Sequence, residues 1–297
     1  MTTTAAATTK TKKRKARITT FDVVVYFILI ALMILMLYPL LFVVSASFSD
    51  PKMVAAGKML LLPVEPNLDG YKYIFQYKEI WTGYLNTIFY TFFGTVLNLA
   101  ATMPCAYALS RKDLRGRGII MIFFMIPMYF SGGMIPLYLV VKGVGLYGSR
   151  WALILPTLVD TYNLIIMRTA FAGVPDSLEE SAKLDGANAW TILWRIMAPL
   201  VKPTVAVITL YYAVSHWNSW FNAMLFLRDK TQYPLQLILR QILIQNDTAD
   251  MTAGADYLIS ETIQYATVVV ATLPILCIYP FVQKYFVKGV MIGAIKG

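Results

Sequence analysis

The sequence predicts an all-α, polytopic membrane protein with about six transmembrane helices. Three observations carry that expectation. Of 297 residues, 58% are hydrophobic and only 14% are charged, where a soluble domain carries roughly a quarter charged residues. Mean hydropathy is +0.60. The charges that do occur are gathered between long apolar runs.

Residues 1–21 form a basic tail, of which the stretch before Arg14, rich in Thr, Ala and Lys, is expected to be disordered. The first run, 23–48, holds no charge. At ~1.5 Å per residue it reaches ~39 Å, enough to cross a ~30 Å hydrocarbon core with tilt. It is longer than the apolar part of a signal peptide, and only Ser45-Ala46-Ser47 weakly resembles a cleavage site, so a retained anchor is expected. Further runs follow at 84–110, 119–141, 151–167, 204–227 and 262–283. The fourth is the shortest and contains Asp160. Pro127, Gly132, Gly133 and Pro136 interrupt the third run, and Pro274 and Pro280 the sixth, which suits bent helices or helices lining a passage. A loop over 228–261 contains an apolar-periodic piece, 235–244, followed by polar residues from Gln245 to Asp250.

Orientation follows from Lys and Arg in alternate loops. One side receives 17 of the 26, in residues 1–21, 111–117, 168–202 and 284–296. The other receives 9 and, with its acidic residues, is neutral overall. Both termini and the segment 175–199 are therefore expected to face the cytoplasm. The net charge of +10 and the pI near 9.4 are what topology demands, and they do not argue for nucleic acid as a partner.

The segment 175–199 is polar and helix-forming, set between two apolar runs. Ser177 and Glu180 have the spacing of a capping box. Gly186 permits a sharp turn. Asn188 is placed to cap a second helix through Met197, and Pro199 disfavours its continuation. A helical hairpin of this kind suits a groove on a partner protein.

Motifs for chemistry are absent. There is no GxxxxGK[ST], HExxH or GxSxG pattern, the two cysteines lie apart in apolar runs, and His216 is the only histidine. No catalytic residue, metal or cofactor is expected in this chain. Polar residues inside apolar runs are the better guide to function. Asp160 and Asn163 fall on one face of the fourth run if it is helical. In the fifth, His216, Trp217, Asn218, Trp220 and Asn222 set aromatic rings beside amides, a combination that suits sugar rings. On a continuous helix, His216, Ser219 and Trp220 would share a face, as would Asn218 and Asn222.

The hairpin also carries a resemblance. Permease subunits of binding-protein-dependent ABC importers share a cytoplasmic signature of EAA, three residues, G, nine residues, I, one residue, and LP. This chain is similar, with Glu180-Ser181-Ala182, Gly186, Ile196 and Ala198-Pro199. It departs at Ser181 and Ala198. The resemblance covers nearly the whole chain and implies the MetI-like fold of type I importers. It implies a six-helix permease domain over 22–287, with a coupling hairpin at 175–199 and an external loop at 228–261, and a cytoplasmic tail at 288–297. Glu180, Ser181, Ala182, Asp185, Gly186, Ala187, Ile196 and Pro199 would meet an ATPase. Tyr233, Leu235, Gln236, Gln245, Asn246 and Asp247 would lie in the loop that reaches the external binding protein. The tail would approach the ATPase dimer. ATP and Mg would be bound by two partner ATPase subunits, and a second permease would complete the pathway.

Tyr233-Pro234-Leu235-Gln236-Leu237 and the last ten residues, from Lys288, resemble a branch that imports aldouronate, rhamnogalacturonan and alginate oligosaccharides, with alginate the specific substrate indicated. Alternatives are a permease for a non-sugar solute, a membrane-embedded enzyme acting on glycolipid through Asp160 or His216, or a carrier working alone. The last two leave the hairpin pattern without a role.

Overall fold

The computed structural model describes residues 19–244, 262–277 and 280. The described part is helical over most of the long apolar runs, and no strand occurs among the described residues. α1 (Thr20–Ser47) opens with a reciprocal cap. Thr19 N donates to Asp22 at 2.8 Å, and Asp22 N donates to Thr19 Oγ1 at 3.3 Å. Its apolar stretch is unburied, and only Ser45–Ser47 at its end are buried in the rest of the chain. There Ser47 Oγ meets Tyr71 Oη at 2.8 Å. Two short helices, α2 (Pro51–Ala55) and α3 (Asp69–Gln76), lead into α4 (Lys78–Ser110), the 33-residue axis of the fold.

α5 (Arg117–Tyr129) and α6 (Met134–Gly143) meet at an angle of 119°. The third apolar run is therefore not one continuous helix. The break falls at 130–133, on the glycine pair, while Pro127 lies inside α5 and Pro136 in the first turn of α6. Pro136 is tolerated there, since a first-turn residue has no intrahelical partner for its N–H, whereas Pro127 gives up one intrahelical bond just before α5 ends at the break.

The fourth run also departs from the expected helix. Residues 150–157 form two 3₁₀ turns, and α7 runs from Thr161 to Ala172. Asp160 is thus not a charge within a span. It is exposed and caps α7, with Oδ1 accepting from Asn163 N at 2.8 Å. Its spacing to Asn163 reports a cap.

Next come α8 (Asp176–Leu184), α9 (Ala189–Leu200) and α10 (Lys202–Trp217), with a 91° bend between the last two. α11 (Phe221–Phe226), α12 (Leu235–Ile244) and α13 (Thr262–Cys277) complete the described chain. Two helices, α1 and α4, are long and apolar enough to cross a membrane alone. Four qualify if each bent pair counts as one span, and α13 is a shorter apolar helix. Six continuous spans are thus not present among the described residues.

α4 packs against α7, α10 and α12. Leu164, Met167 and Phe171 of α7 lie fully buried with Leu109 of α4, Met197 of α9 and Ile208 of α10. The periodic piece of the 228–261 loop behaves as its spacing requires. Leu235, Ile238, Leu239 and Ile242 recur at i, i+3, i+4 and i+7, and all are buried.

Candidate functional site

The hairpin is built largely by local rules. α8 starts at Asp176 behind Pro175 and has no side-chain cap, so the expected Ser177–Glu180 capping box does not form. The helix begins too early for it, which places Ser177 within the first turn. Asp176 and Glu179 there favour the positive end of the helix dipole. At the other end Gly186 adopts φ +81°. Gly186 N donates to Lys183 O at 3.0 Å and Ala187 N to Ala182 O at 2.9 Å, the paired closure of a Schellman turn. Asn188 then caps α9, its Oδ1 accepting from Thr191 N at 2.8 Å. α9 widens to a π-helix over 192–197 and passes Pro199 to end at Leu200. Pro199 does not stop it, because it sits in the first turn of the short α-helical stretch that follows the π register.

The hairpin is held to the rest of the chain on one side and bare on the other. Glu179 is 5% exposed and pairs with Arg111, and Lys183 Nζ lies 2.9 Å from its other oxygen. Arg111 also donates to Phe171 O at 2.9 Å and stands over the Tyr107 ring. Lys112 pairs with Asp176 at 2.8 Å in the open. Burial pushes the Glu179 carboxyl up, but Lys183 and Arg111 outweigh it and hold it below the usual glutamate range. Ala182 is buried, while Ala187 and Ile196 are half-buried and pack against the core. Glu180, Ser181, Asp185, Gly186 and Pro199 are exposed, together with Leu184 at 89% and Trp190 at 61%. A mixed apolar and acidic tip therefore projects from an anchored base.

The predicted ligand path divides into separate places. α10 ends at Trp217, and Asn218–Trp220 form a break before α11, so the faces expected on a continuous helix do not exist. Asp160, Asn163 and His216 line one cleft of ≈ 730 Å³, with Tyr162, Tyr211 and Tyr212. Asn218 and Trp220 line another, of ≈ 450 Å³, with Gln236 and Arg240. Trp217 is buried, and Asn222 lines neither cleft.

His216 is 5% exposed and packs where α4 has Gly94, at which a Cβ would stand 2.5 Å from Nε2. Nε2 lies 2.6 Å from Asn98 Oδ1. Asn98 Nδ2 in turn donates to Thr157 O at 2.7 Å and Leu158 O at 2.8 Å. With both amide hydrogens committed, Oδ1 can only accept, which assigns the proton to Nε2 and leaves Nδ1 as an acceptor. One turn along, Thr102 Oγ1 meets Tyr212 Oη at 2.7 Å, and Asp160 N donates to that hydroxyl at 3.1 Å.

In the 228–261 loop, Tyr233 O accepts from Asn86 Nδ2 at 3.0 Å, and Leu235 N donates to Thr87 Oγ1 at 2.8 Å. The Leu235 side chain is fully buried against α4, so it anchors the loop and is not available as a contact for another protein. Gln236 is half-buried. Gln245, Asn246 and Asp247 lie outside the described residues, as do most of the basic tail (1–18) and the C-terminal tail.

Sequence reasoning missed Arg111, Glu179 and Asn98. Asn98 carried a usable signal, an amide in the middle of an uncharged run. For Glu179 beside Glu180 nothing in the spacing says which carboxylate turns inward.

Residues 80–292 match the family described as binding-protein-dependent transport system inner membrane component. The polygalacturonan/rhamnogalacturonan transport system permease protein of Bacillus subtilis (strain 168) is 44% identical, the match covering 89% of this chain and 94% of the relative. The arabinooligosaccharides transport system permease protein of the same organism is 30% identical over 89% and 92%. Among solved structures, a bacterial ABC transporter involved in the import of the acidic polysaccharide alginate contains a chain with a TM-score of 0.85 and 37% identity, covering 90% of this chain and 96% of that one. With its helices, its hairpin and these likenesses in agreement, the chain belongs to the family of binding-protein-dependent transport system inner membrane components.

Proposed function

We propose that this chain is one of two permease subunits of an ATP-driven importer of acidic oligosaccharides, and that the 175–199 hairpin is its grip on a partner ATPase. The observation that carries the coupling role is the two-sided hairpin. Its tip exposes Glu180, Leu184 and Trp190, while Glu179 ties its base to Arg111 at the end of α4. A displacement of the tip then reaches α4 and α7 as a rigid-body movement between states open to either side of the membrane. ATP and Mg act in the partner subunits and shift the population of those states through differential affinity. Both termini and the hairpin face the cytoplasm, by the excess of Lys and Arg on that side. The 228–261 loop meets the external binding protein, and the second permease supplies the other wall of the pathway.

Support for the substrate class comes from the likeness to the polygalacturonan/rhamnogalacturonan permease and to the importer of the acidic polysaccharide alginate. The chain itself makes and breaks no bond. The test is ATPase stimulation of the reconstituted importer by loaded binding protein, comparing uronate with neutral oligosaccharides. Stimulation by the uronates, lost in Gly186→Pro and Glu180→Lys with membrane insertion intact, is the expected result. Normal ATPase association and turnover in both variants would overturn the coupling role.

A further inference from the structure

The second cleft holds a feature that the coupling role does not use. Arg240, on α12, places its guanidinium carbon 3.7 Å from the centroid of the Trp220 ring. Both line the ≈ 450 Å³ cleft between the α10–α11 break, α12 and α13, beside the amides of Asn218 and Gln236. That volume falls in the ~300–1,000 Å³ range of small-ligand sites.

What distinguishes Arg240 is what it lacks. The other half-buried arginines among the described residues each donate to an acceptor. Arg111 pairs with Glu179, Arg117 donates to Arg111 O, Arg150 to Asn86 Oδ1 and Arg168 to Leu109 O. Among the described residues no carboxylate, carbonyl or amide oxygen accepts from Arg240, and α13 contributes Val268, Ala271, Thr272 and Ile275 to the cleft. The Arg240 guanidinium therefore leaves its donors to water or to a ligand in the cleft. Stacking on the indole occupies only its face. The five N–H donors lie in the plane at its edge, pre-oriented for a planar, two-oxygen acceptor.

We infer that Arg240 and Trp220 form a carboxylate-binding subsite for one uronate unit of the transported oligosaccharide. The guanidinium edge takes the carboxylate in a two-pronged contact. The Asn218 and Gln236 amides are placed to meet ring hydroxyls. The neighbouring cleft cannot serve in the same way, because Asp160 and the free Nδ1 of His216 offer acceptors where a carboxylate needs donors. It suits hydroxyls instead.

This inference rests on the acidic-oligosaccharide reading, and the test separates the two. The full importer, in nanodiscs with its binding protein, is titrated with trimers of galacturonate and of mannuronate and with their methyl esters, reading ATPase stimulation. Arg240→Gln should raise the half-saturating concentration of the acidic trimers at least tenfold and leave the esters unchanged. Arg240→Lys, which keeps the charge and loses the fork, should recover part of that loss. Size-exclusion profile and co-elution of the ATPase subunits establish that the variants assemble. An equal shift for acids and esters, or no shift for either, overturns the subsite while leaving the substrate reading in place. A wild-type importer that no uronate trimer stimulates overturns both.

Discussion

α4 is fastened at two levels, and the chemistry differs between them. At its C-terminal end, where the chain reaches its cationic turn, charges do the holding, with Arg111 and Lys183 on Glu179 and Lys112 on Asp176. Three turns earlier, inside the apolar part, the fastenings are neutral. Asn98 bridges His216 to two carbonyls, and Thr102 joins Tyr212. Charges are expensive away from water, whereas a fully satisfied amide is tolerated there. The split also divides labour. On the proposed coupling role, the charged level would respond to the partner, while the neutral level ties α4 to α10 and to the turn before α7.

The largest effect should come from breaking the charged level. Glu179→Ala leaves Arg111 buried without its carboxylate, and losing one partner of a buried pair costs about 3–5 kcal/mol. Co-purification with the ATPase subunits should fall sharply, whereas Asp176→Ala, whose pair is open to water, should change it by about 1 kcal/mol or less. Acid sharpens the contrast. The folded-state pKa of Glu179 lies below its unfolded value, so the pair contributes fully above the ordinary glutamate range and is lost as pH falls through the depressed value. Association measured on descending pH should therefore hold through the ordinary range and fail beneath it. Loss that tracks an unshifted glutamate would contradict this account.

Next in size is the neutral level. Asn98→Leu removes the acceptor for His216 and the donor for Thr157 O and Leu158 O. Each orphaned buried group costs about 1–3 kcal/mol, with some relief from water at the cleft. The thermal midpoint of the purified importer should drop, with little change in pH response, since no charge is involved. A drop that varies with pH would mean that His216 is the doubly protonated imidazolium in the native state, against the single Nε2 proton assigned above.

Why the turn and cap of the hairpin were foreseen, while neither level of fastening was, is a matter of range. Gly186 and Asn188 act on neighbours one to four residues away, so the turn and the second cap were legible in the sequence, as was the buried stripe Leu235–Ile238–Leu239–Ile242. The polar run 215–222 was read on the premise of a continuous helix. Nothing within it announces the break at Asn218, so the expected faces dissolved into two clefts. Asp160 misled for a related reason. An aspartate among apolar residues reads as a buried charge, yet 3₁₀ turns ahead of it end the run and expose it as a cap. Pairings such as Arg111–Glu179 span 68 positions, and no local pattern encodes them.

The turn of the hairpin offers a third, smaller perturbation. Gly186 has open space around a built Cβ, so Gly186→Ala meets no clash, and its whole cost is the left-handed backbone. That is about 1–2 kcal/mol for an L residue. ATPase coupling should weaken without being lost, and Gly186→Asn, which tolerates this conformation better, should recover part of it. If alanine abolished coupling as proline is expected to, the site would demand contact with the partner at the glycine itself.

The smallest effect should be at the second cap. Asn188→Ala removes the acceptor for Thr191 N on an exposed helix start, worth about 1 kcal/mol in comparable caps. Asn188→Asp keeps the acceptor and adds charge at the positive end of α9, so it should match or slightly exceed the parent in stability. Because the cap lies at the bare tip and away from the Glu179 anchor, the two changes should separate cleanly. Combining Asn188→Ala with Glu179→Ala should give additive losses in ATPase association, within about 0.5 kcal/mol. Strong non-additivity would mean that tip and anchor are one cooperative unit, and the division between a responsive level and a neutral one would have to be drawn within α8 instead of along α4.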